Sequence, residues 1–200
     1  MPLRDYLAES AELLHRSAAA VSQGAMDRAI DAVVHALAGG KPLLVCGNGG
    51  SAADAIHITG ELVGRFLQNR RALKVICLAT NPGAITAWSN DHSFETAYAR
   101  QVEAYGEKGA VLLGISTSGT SPNMVAAFEK ARQMEMLTVA LTGEGGGRLA
   151  PLADHLLAVP SRRTPLIQQV HLCLYHYLCE EIERRMMQVR GEVESAVPAK

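Results

Sequence analysis

Two hundred residues suffice for one domain with a sizeable core, and 48% hydrophobic with 20% charged residues marks an ordinary globular chain rather than a disordered one. The formal net charge of −1 excludes a global electrostatic attraction to nucleic acid or anionic membrane, both of which favour dense Lys/Arg patches. Cys46, Cys77, Cys173 and Cys179 are scattered without a C-x-x-C spacing, which predicts free thiols in a reducing compartment.

The first twenty residues, MPLRDYLAESAELLHRSAAA, carry acids among their apolar positions and lack the continuous apolar stretch of a signal peptide. No run of about 18 apolar residues occurs to span a membrane. The expectation is a cytoplasmic protein. Leu3, Leu7, Leu13 and Leu14 recur at helical spacing, and MDRAIDAVVHALAGG predicts a second helix that stops at Gly39-Gly40. Two helices therefore precede any strand, free to pack on a partner subunit or on their own sheet.

Beyond residue 40 short apolar runs alternate with helical stretches. The runs are 43–47, 74–79, 110–116, 137–143 and 155–160. Each is continuously apolar rather than alternating, as in strands buried on both faces of a parallel sheet. Five such strands with intervening helices predict an α/β, doubly wound parallel fold of flavodoxin type, behind an N-terminal helical extension. A single domain is expected over 1–200, with helices at 1–40 and the α/β core and last helix at 41–188. That last helix is expected from Thr164 to Met187, and the tail VESAVPAK is expected to fray.

Two predicted strand ends are rich in Gly and hydroxyl residues: Gly47-Asn48-Gly49-Gly50-Ser51, leading into a helix over 51–67, and Ser116-Thr117-Ser118-Gly119-Thr120-Ser121, leading into a helix over 121–134. Ligands of open α/β sheets bind at such ends, and free N–H groups at a helix start hold anions. Neither loop has the G-x-G-x-x-G or the G-x-x-x-x-G-K-[ST] spacing, and neither contains Lys. Neutral donors of this kind suit a phosphate monoester better than a triphosphate with magnesium. The plainer alternative makes Gly a turn former and Ser51 or Ser121 a helix cap. Two such loops at equivalent strand ends favour binding.

His57 and Glu61 lie four apart on the first of these helices and share a face, which suits a zinc pair or an acid/base pair; the plainer and commoner alternative is a solvated or structural pair. The last helix adds Gln168, Gln169, His171 and His176; spacing alone does not choose between the two histidines.

In order and spacing, CGNGGSAADAIH, the SND around Asp91, LLGISTSGTSPN, ALTGEGGG and IQQVHLCLYH resemble bacterial sedoheptulose 7-phosphate isomerases, the phosphoheptose isomerases of the sugar isomerase (SIS) domain superfamily. The likeness spans roughly residues 5–185. It implies that His57, Glu61, Gln168 and His176 hold one zinc ion, with Glu61 and His176 carrying the chemistry. It implies phosphate-binding hydroxyls at Ser51, Ser116, Thr117, Ser118 and Ser121, and substrate contacts at Asn48, Gly49, Arg65 and Asp91 with Gln168. It further implies a homotetramer with active sites between subunits, a sugar phosphate as partner, and no nucleic acid or membrane. Asn81-Pro82 and Leu166 depart from the residue types common in the family. A related non-catalytic branch binds sugar phosphates or the replication initiator as a scaffold; it lacks the glutamate and final histidine that this chain keeps as Glu61 and His176.

Overall fold

A computed structural model describes residues 1–191. The expected fray at 193–200 lies outside the described residues. Among these, the α-helices are α1 (Leu3–Ala20), α2 (Gln23–Ala38), α3 (Gly50–Val63), α4 (Pro82–Asp91), α5 (Ala97–Tyr105), α6 (Pro122–Gln133) and α7 (Thr164–Arg190). The strands are β1 (Leu43–Gly47), β2 (Val75–Cys77), β3 (Val111–Ser116), β4 (Leu137–Thr142) and β5 (His155–Ala158). They form one parallel sheet in the order β2-β1-β3-β4-β5. The chain leaves β1 toward one edge and returns to build toward the other, so the topological switch lies between β1 and β3.

Side chains alternate between two covered faces. Leu43 and Val45 of β1, Val111, Leu113 and Ile115 of β3, and Val139 and Leu141 of β4 face α2, α3 and α7. Leu44 and Cys46, Leu112, and Ala140 face α5 and α6. This double burial is why the strands read as continuous apolar runs. A Cβ on Gly114 would come within 2.3 Å of the Phe128 ring, so the glycine in mid-β3 is the seat of an aromatic from α6.

Most element ends shift by one or two residues from the sequence expectation, and three differences have a visible cause. Helix α3 ends at Val63 rather than residue 67, because the chain breaks at Gly64 and the following backbone turns to a buried carboxylate on α7. Strand β2 is only three residues long, and Thr80 turns back onto the Cys77 carbonyl. Helix α7 continues to Arg190 and closes on Gly191 in the left-handed region. At the front of the chain, α2 is a full member of one helical layer, with Ala29, Ile30 and Val33 fully buried. Helix α1 lies on α7 instead, tied by Gln169 Nε2 donating to the Tyr6 hydroxyl at 2.9 Å and by the Arg163–Glu9 ion pair.

Helix α7 is also pinned to the sheet. His171 is fully buried, and its Nε2–H donates to the Thr142 carbonyl at the end of β4, 3.1 Å away. Burial lowers the His171 pKa from the ordinary 6.5 to about 4, partly opposed by that hydrogen bond. A depressed histidine stabilises the fold fully above 6.5, and the contribution fades as pH falls toward 4. A shift of this size corresponds to about 3 kcal/mol. Denaturant titrations of wild type and His171→Gln at about pH 7 and about pH 4.5 measure it, and the wild-type advantage is expected to shrink at the lower pH.

At the carboxyl edge of the sheet the loops after β3 and β4 interlock. Gly119 has φ +63°, and a Cβ there would lie 2.1 Å from the Gly146 carbonyl oxygen; a Cβ on Gly147 would lie 2.5 Å from that of Ser118. The GEGGG run is thus the complement of the Ser-rich loop. Gly119→Ala is expected to destabilise by more than the ~1 kcal/mol of an ordinary Gly/Ala exchange, read by denaturant unfolding, since both the backbone angle and the space forbid it.

Candidate active site

The two Gly/Ser loops meet across the switch point. Asn48 after β1 and Asn123 in the first turn of α6 exchange reciprocal carboxamide hydrogen bonds, each 2.8 Å. Tyr98, at the start of α5, donates its hydroxyl to the Gly47 carbonyl at 2.5 Å, which brings the α4–α5 corner over the end of β1. Asp91 sits at that corner, exposed, with its carboxylate accepting from the neighbouring Asn90 side chain.

Capping does not account for the loop serines. The N-cap of α3 is Gly49, so Ser51 lies inside the helix, buried against Gly47. Ser121 is the N-cap of α6, yet its side chain makes no capping bond. Ser116 Oγ accepts from the Gly119 N–H, and Ser118 Oγ accepts from Thr120. These bonds use acceptor lone pairs and leave the Ser116 and Ser118 hydroxyl protons available to an anion. Thr117 and Ser118 line a cleft of about 290 Å³ with Glu144, Ser161, Arg162 and Thr164. Arg162 pairs there with Glu144 at 2.5 Å. These last four residues follow β4 and β5, so they obey the same strand-end rule that singles out the other two loops. Glu144 falls within the ALTGEGGG run; no motif marks Ser161, Arg162 or Thr164, and only their position after a strand could have pointed to them.

Helices α3 and α7 run side by side in the same direction. Gly50 lies beside Gln168, His57 beside Tyr175 and His176, and Phe66 to Gln68 beside Glu183. The Gln168 carboxamide rests on Gly50, where a Cβ would be 2.3 Å from Nε2. Gln169 faces the other way, toward α1. Geometry therefore makes the choices that spacing left open: Gln169 and His171 are structural, while Gln168 and His176 face α3.

His57 Nε2 lies 3.0 Å from Glu61 Oε1, and its Nδ1 lies 3.0 Å from the Tyr175 hydroxyl. The Tyr175 hydroxyl in turn donates to Asp54 Oδ1 at 3.4 Å. Burial raises the Asp54 pKa, opposed by the Tyr175 hydrogen bond. The His176 ring stands edge-on to His57, with centroids 5.1 Å apart, and Phe66 covers its other side at 5.6 Å. Tyr175 and Asp54 carry no sequence signal as site residues, because tyrosine on a buried helix reads as core.

Beyond Glu61 the chain is held by Glu183, which is 1% exposed. It accepts the backbone N–H groups of Phe66, Leu67 and Gln68 at 2.7–3.0 Å, and Arg70 Nε lies 3.0 Å from it. Arg70 Nη2 also donates to the Glu61 carbonyl at 3.0 Å. This ties the carboxylate-bearing turn of α3 to α7. Arg65 emerges from the same segment with its side chain exposed.

The donor chemistry at His57 fits a zinc ion. If the Tyr175 proton goes to Asp54, Nδ1 carries the His57 proton, and the Nε2 lone pair confronts the Glu61 carboxylate at 3.0 Å. A proton or a metal cation between them would satisfy both groups. His176 adjoins this pair, but among the described residues no three His, Cys, Asp or Glu side chains gather closely enough to hold a metal as they stand. Gln168 lies seven residues of α3 toward the helix start from His57, beside Gly50, about 10 Å along the axis. A metal site here would assemble around the His57–Glu61 pair on binding.

Comparison with known proteins agrees with this arrangement of loops and helices. A family model described as a SIS domain matches residues 5–143. The phosphoheptose isomerase of Crocosphaera subtropica is 48% identical over 167 residues, 84% of this chain and 85% of that protein. That of Helicobacter pylori is 45% identical over 184 residues, 90% and 96% of the two chains. The solved structure of a phosphoheptose isomerase from Francisella tularensis superposes with a TM-score of 0.87 at 37% identity, covering 91% of this chain and 96% of that one. With its sheet order, its two Gly/Ser loops and its paired α3 and α7 all accounted for, the chain belongs to the phosphoheptose isomerase family of SIS-domain proteins.

Proposed function

We propose that this protein isomerises sedoheptulose 7-phosphate to D-glycero-D-manno-heptose 7-phosphate through an enediol. The observation that carries the reading is the His57–Glu61 pair, oriented from behind by Tyr175 and flanked by His176, on a helix that starts at a phosphate-type loop. Ser116, Thr117, Ser118 and Ser121 with the start of α6 hold the phosphate, supported by Ser51, Gly49 and Asn48 on the neighbouring loop. Arg65, Asp91 and Gln168 contact the sugar. Phosphate binding at a distance from C1 and C2 positions the reacting carbons and so lowers the barrier.

Ketose-to-aldose conversion moves one proton between carbons and one between oxygens. Glu61 removes the carbon proton and returns it to the adjacent carbon. His176 manages the oxygen proton. Such acid–base help is worth about 10²–10⁴ in rate. Lewis-acid polarisation of the substrate carbonyl is the chemistry a zinc ion would supply, held by His57, Glu61, Gln168 and His176. A carboxylate bound tightly to zinc is a poorer base, so with zinc present the proton transfer would call for Glu61 to be free of the metal or for a neighbouring group to share the work.

The oligomer belongs to the same reading. In one chain Gln168 lies apart from His57, and Leu3, Leu7, Ile56, Val63, Leu172 and Tyr177 are exposed on α1, α3 and α7. A homotetramer with sites between subunits would cover such side chains and complete the site. The reaction is the entry to nucleotide-activated heptose, as used in lipopolysaccharide, which places the enzyme in the cytoplasm. No helix among the described residues is long and apolar enough to cross a membrane.

The test is to follow aldose formation from sedoheptulose 7-phosphate by NMR, with and without added zinc. Wild type is expected to turn over, and Glu61→Gln to lose about 10²-fold or more in kcat while still binding the sugar phosphate. Sugar phosphate that binds wild type without conversion would sink the isomerase reading and return the non-catalytic scaffold.

A further inference from the structure

The structure holds a polar chain that the reaction does not itself require. Tyr175 is 1% exposed and packs in the main core cluster, yet its hydroxyl is aimed at His57 Nδ1 and Asp54 Oδ1. Among the described residues Asp54 Oδ2 is buried without a hydrogen-bond partner, so the carboxylate is poorly satisfied except through Tyr175. A leucine or phenylalanine would fill this core position without any such cost. Buried polar groups in a core are tolerated when they are hydrogen-bonded into a network.

The hydrogen-bond inventory allows two proton arrangements for a neutral His57. A carboxylate only accepts, and a phenol has one proton to give. If Tyr175 donates to Asp54 it accepts from His57 Nδ1–H, and the Nε2 lone pair faces Glu61, 3.0 Å away; if Tyr175 donates to Nδ1 instead, Nε2–H donates to Glu61. Without the tyrosine the favourable alternative is the reverse: Nε2–H donates to Glu61, and the lone pair turns inward, where no ion can reach it.

We propose that Tyr175 and Asp54 are positioning residues that set the tautomer of His57, holding the Nε2 lone pair outward as a metal ligand. The proposal rests on the reading of His57 as a zinc ligand and goes beyond it by assigning the outer pair. Hydrogen bonds to the far nitrogen of a ligating histidine fix both its tautomer and its ring orientation, and their loss typically costs 10–100-fold in metal affinity.

Two measurements test this on the full-length protein. The first reads the His57 tautomer by long-range proton–nitrogen NMR on zinc-free, histidine-labelled protein at about pH 8.5, well above the ordinary histidine pKa of about 6.5. Wild type is expected to show the Nδ1–H form, and Tyr175→Phe the Nε2–H form. Asp54→Asn serves as the second variant: its amide can donate to the tyrosine oxygen, freeing the phenol proton for His57 Nδ1 and giving the same switch. The second is a competition titration of zinc against a chelating dye, with Tyr175→Phe, shown to be folded by its cooperative unfolding, expected to bind about 10–100-fold more weakly.

An Nε2–H tautomer in wild type, or an unchanged tautomer in both variants, overturns the assignment. So does zinc binding of equal strength in wild type and Tyr175→Phe. Should wild type bind no zinc at all, the metal reading of His57 fails and with it the ligand role proposed here, while the tautomer result separately decides whether Tyr175 and Asp54 orient the ring.

Discussion

The candidate active site depends on one packing relationship, the parallel, in-register contact of α3 with α7. In a parallel sheet every crossover helix on one face runs antiparallel to the strands, so the helices on that face share a direction. Helix α3 follows β1 and α7 follows β5, and both lie on the face that also holds α2. The two are fastened at three heights. Gln168 rests on bare backbone at Gly50, the Tyr175 hydroxyl meets His57 midway, and Glu183 gathers the chain where α3 ends. The last of these is a buried carboxylate with three backbone donors and a guanidinium close by. It owes its tolerance in the core to those partners, since an unpaired buried charge is among the costliest features a fold can hold.

Much of this was legible in the residues. Strand runs appear where double burial demands continuous apolar sequence, and the five expected strands correspond to the five observed, trimmed at their ends. Both Gly/Ser loops fall at strand ends beside the switch point, because glycine runs at those places have few other uses. Local rules also placed His57 and Glu61 on one helical face. What the sequence concealed is whatever depends on long-range packing. Asn48 and Asn123 are 75 positions apart, and nothing in either neighbourhood announces the other. Spacing could not separate His176 from His171. The fold does so by burying His171 against the Thr142 carbonyl and turning His176 toward α3.

The same reasoning explains why Tyr175 and Arg162 escaped notice. A tyrosine among leucines has the composition of core, and it is core by area; only its hydroxyl belongs to the site. Arg162 lies in an irregular segment after the edge strand, in a double-arginine run that resembles a solvated surface. The polar contacts of this candidate site are made by single atoms attached to otherwise structural residues, and a sequence pattern resolves residues, not atoms.

The Asn48–Asn123 pair has a consequence for the electrostatics of the switch point. The two Gly/Ser loops at the switch point are fastened by uncharged carboxamides, where a salt bridge could have done the same work. Such a fastening does not titrate across the physiological range, and added salt screens it little. It also contributes no monopole. The helix ends and hydroxyl dipoles around it therefore act on an incoming anion without competition from a fixed carboxylate or ammonium in the staple itself. The joint that sets the shape of this entrance is electrically quiet, and ionic strength should alter how strongly an anion is drawn in far more than it alters the geometry that receives it.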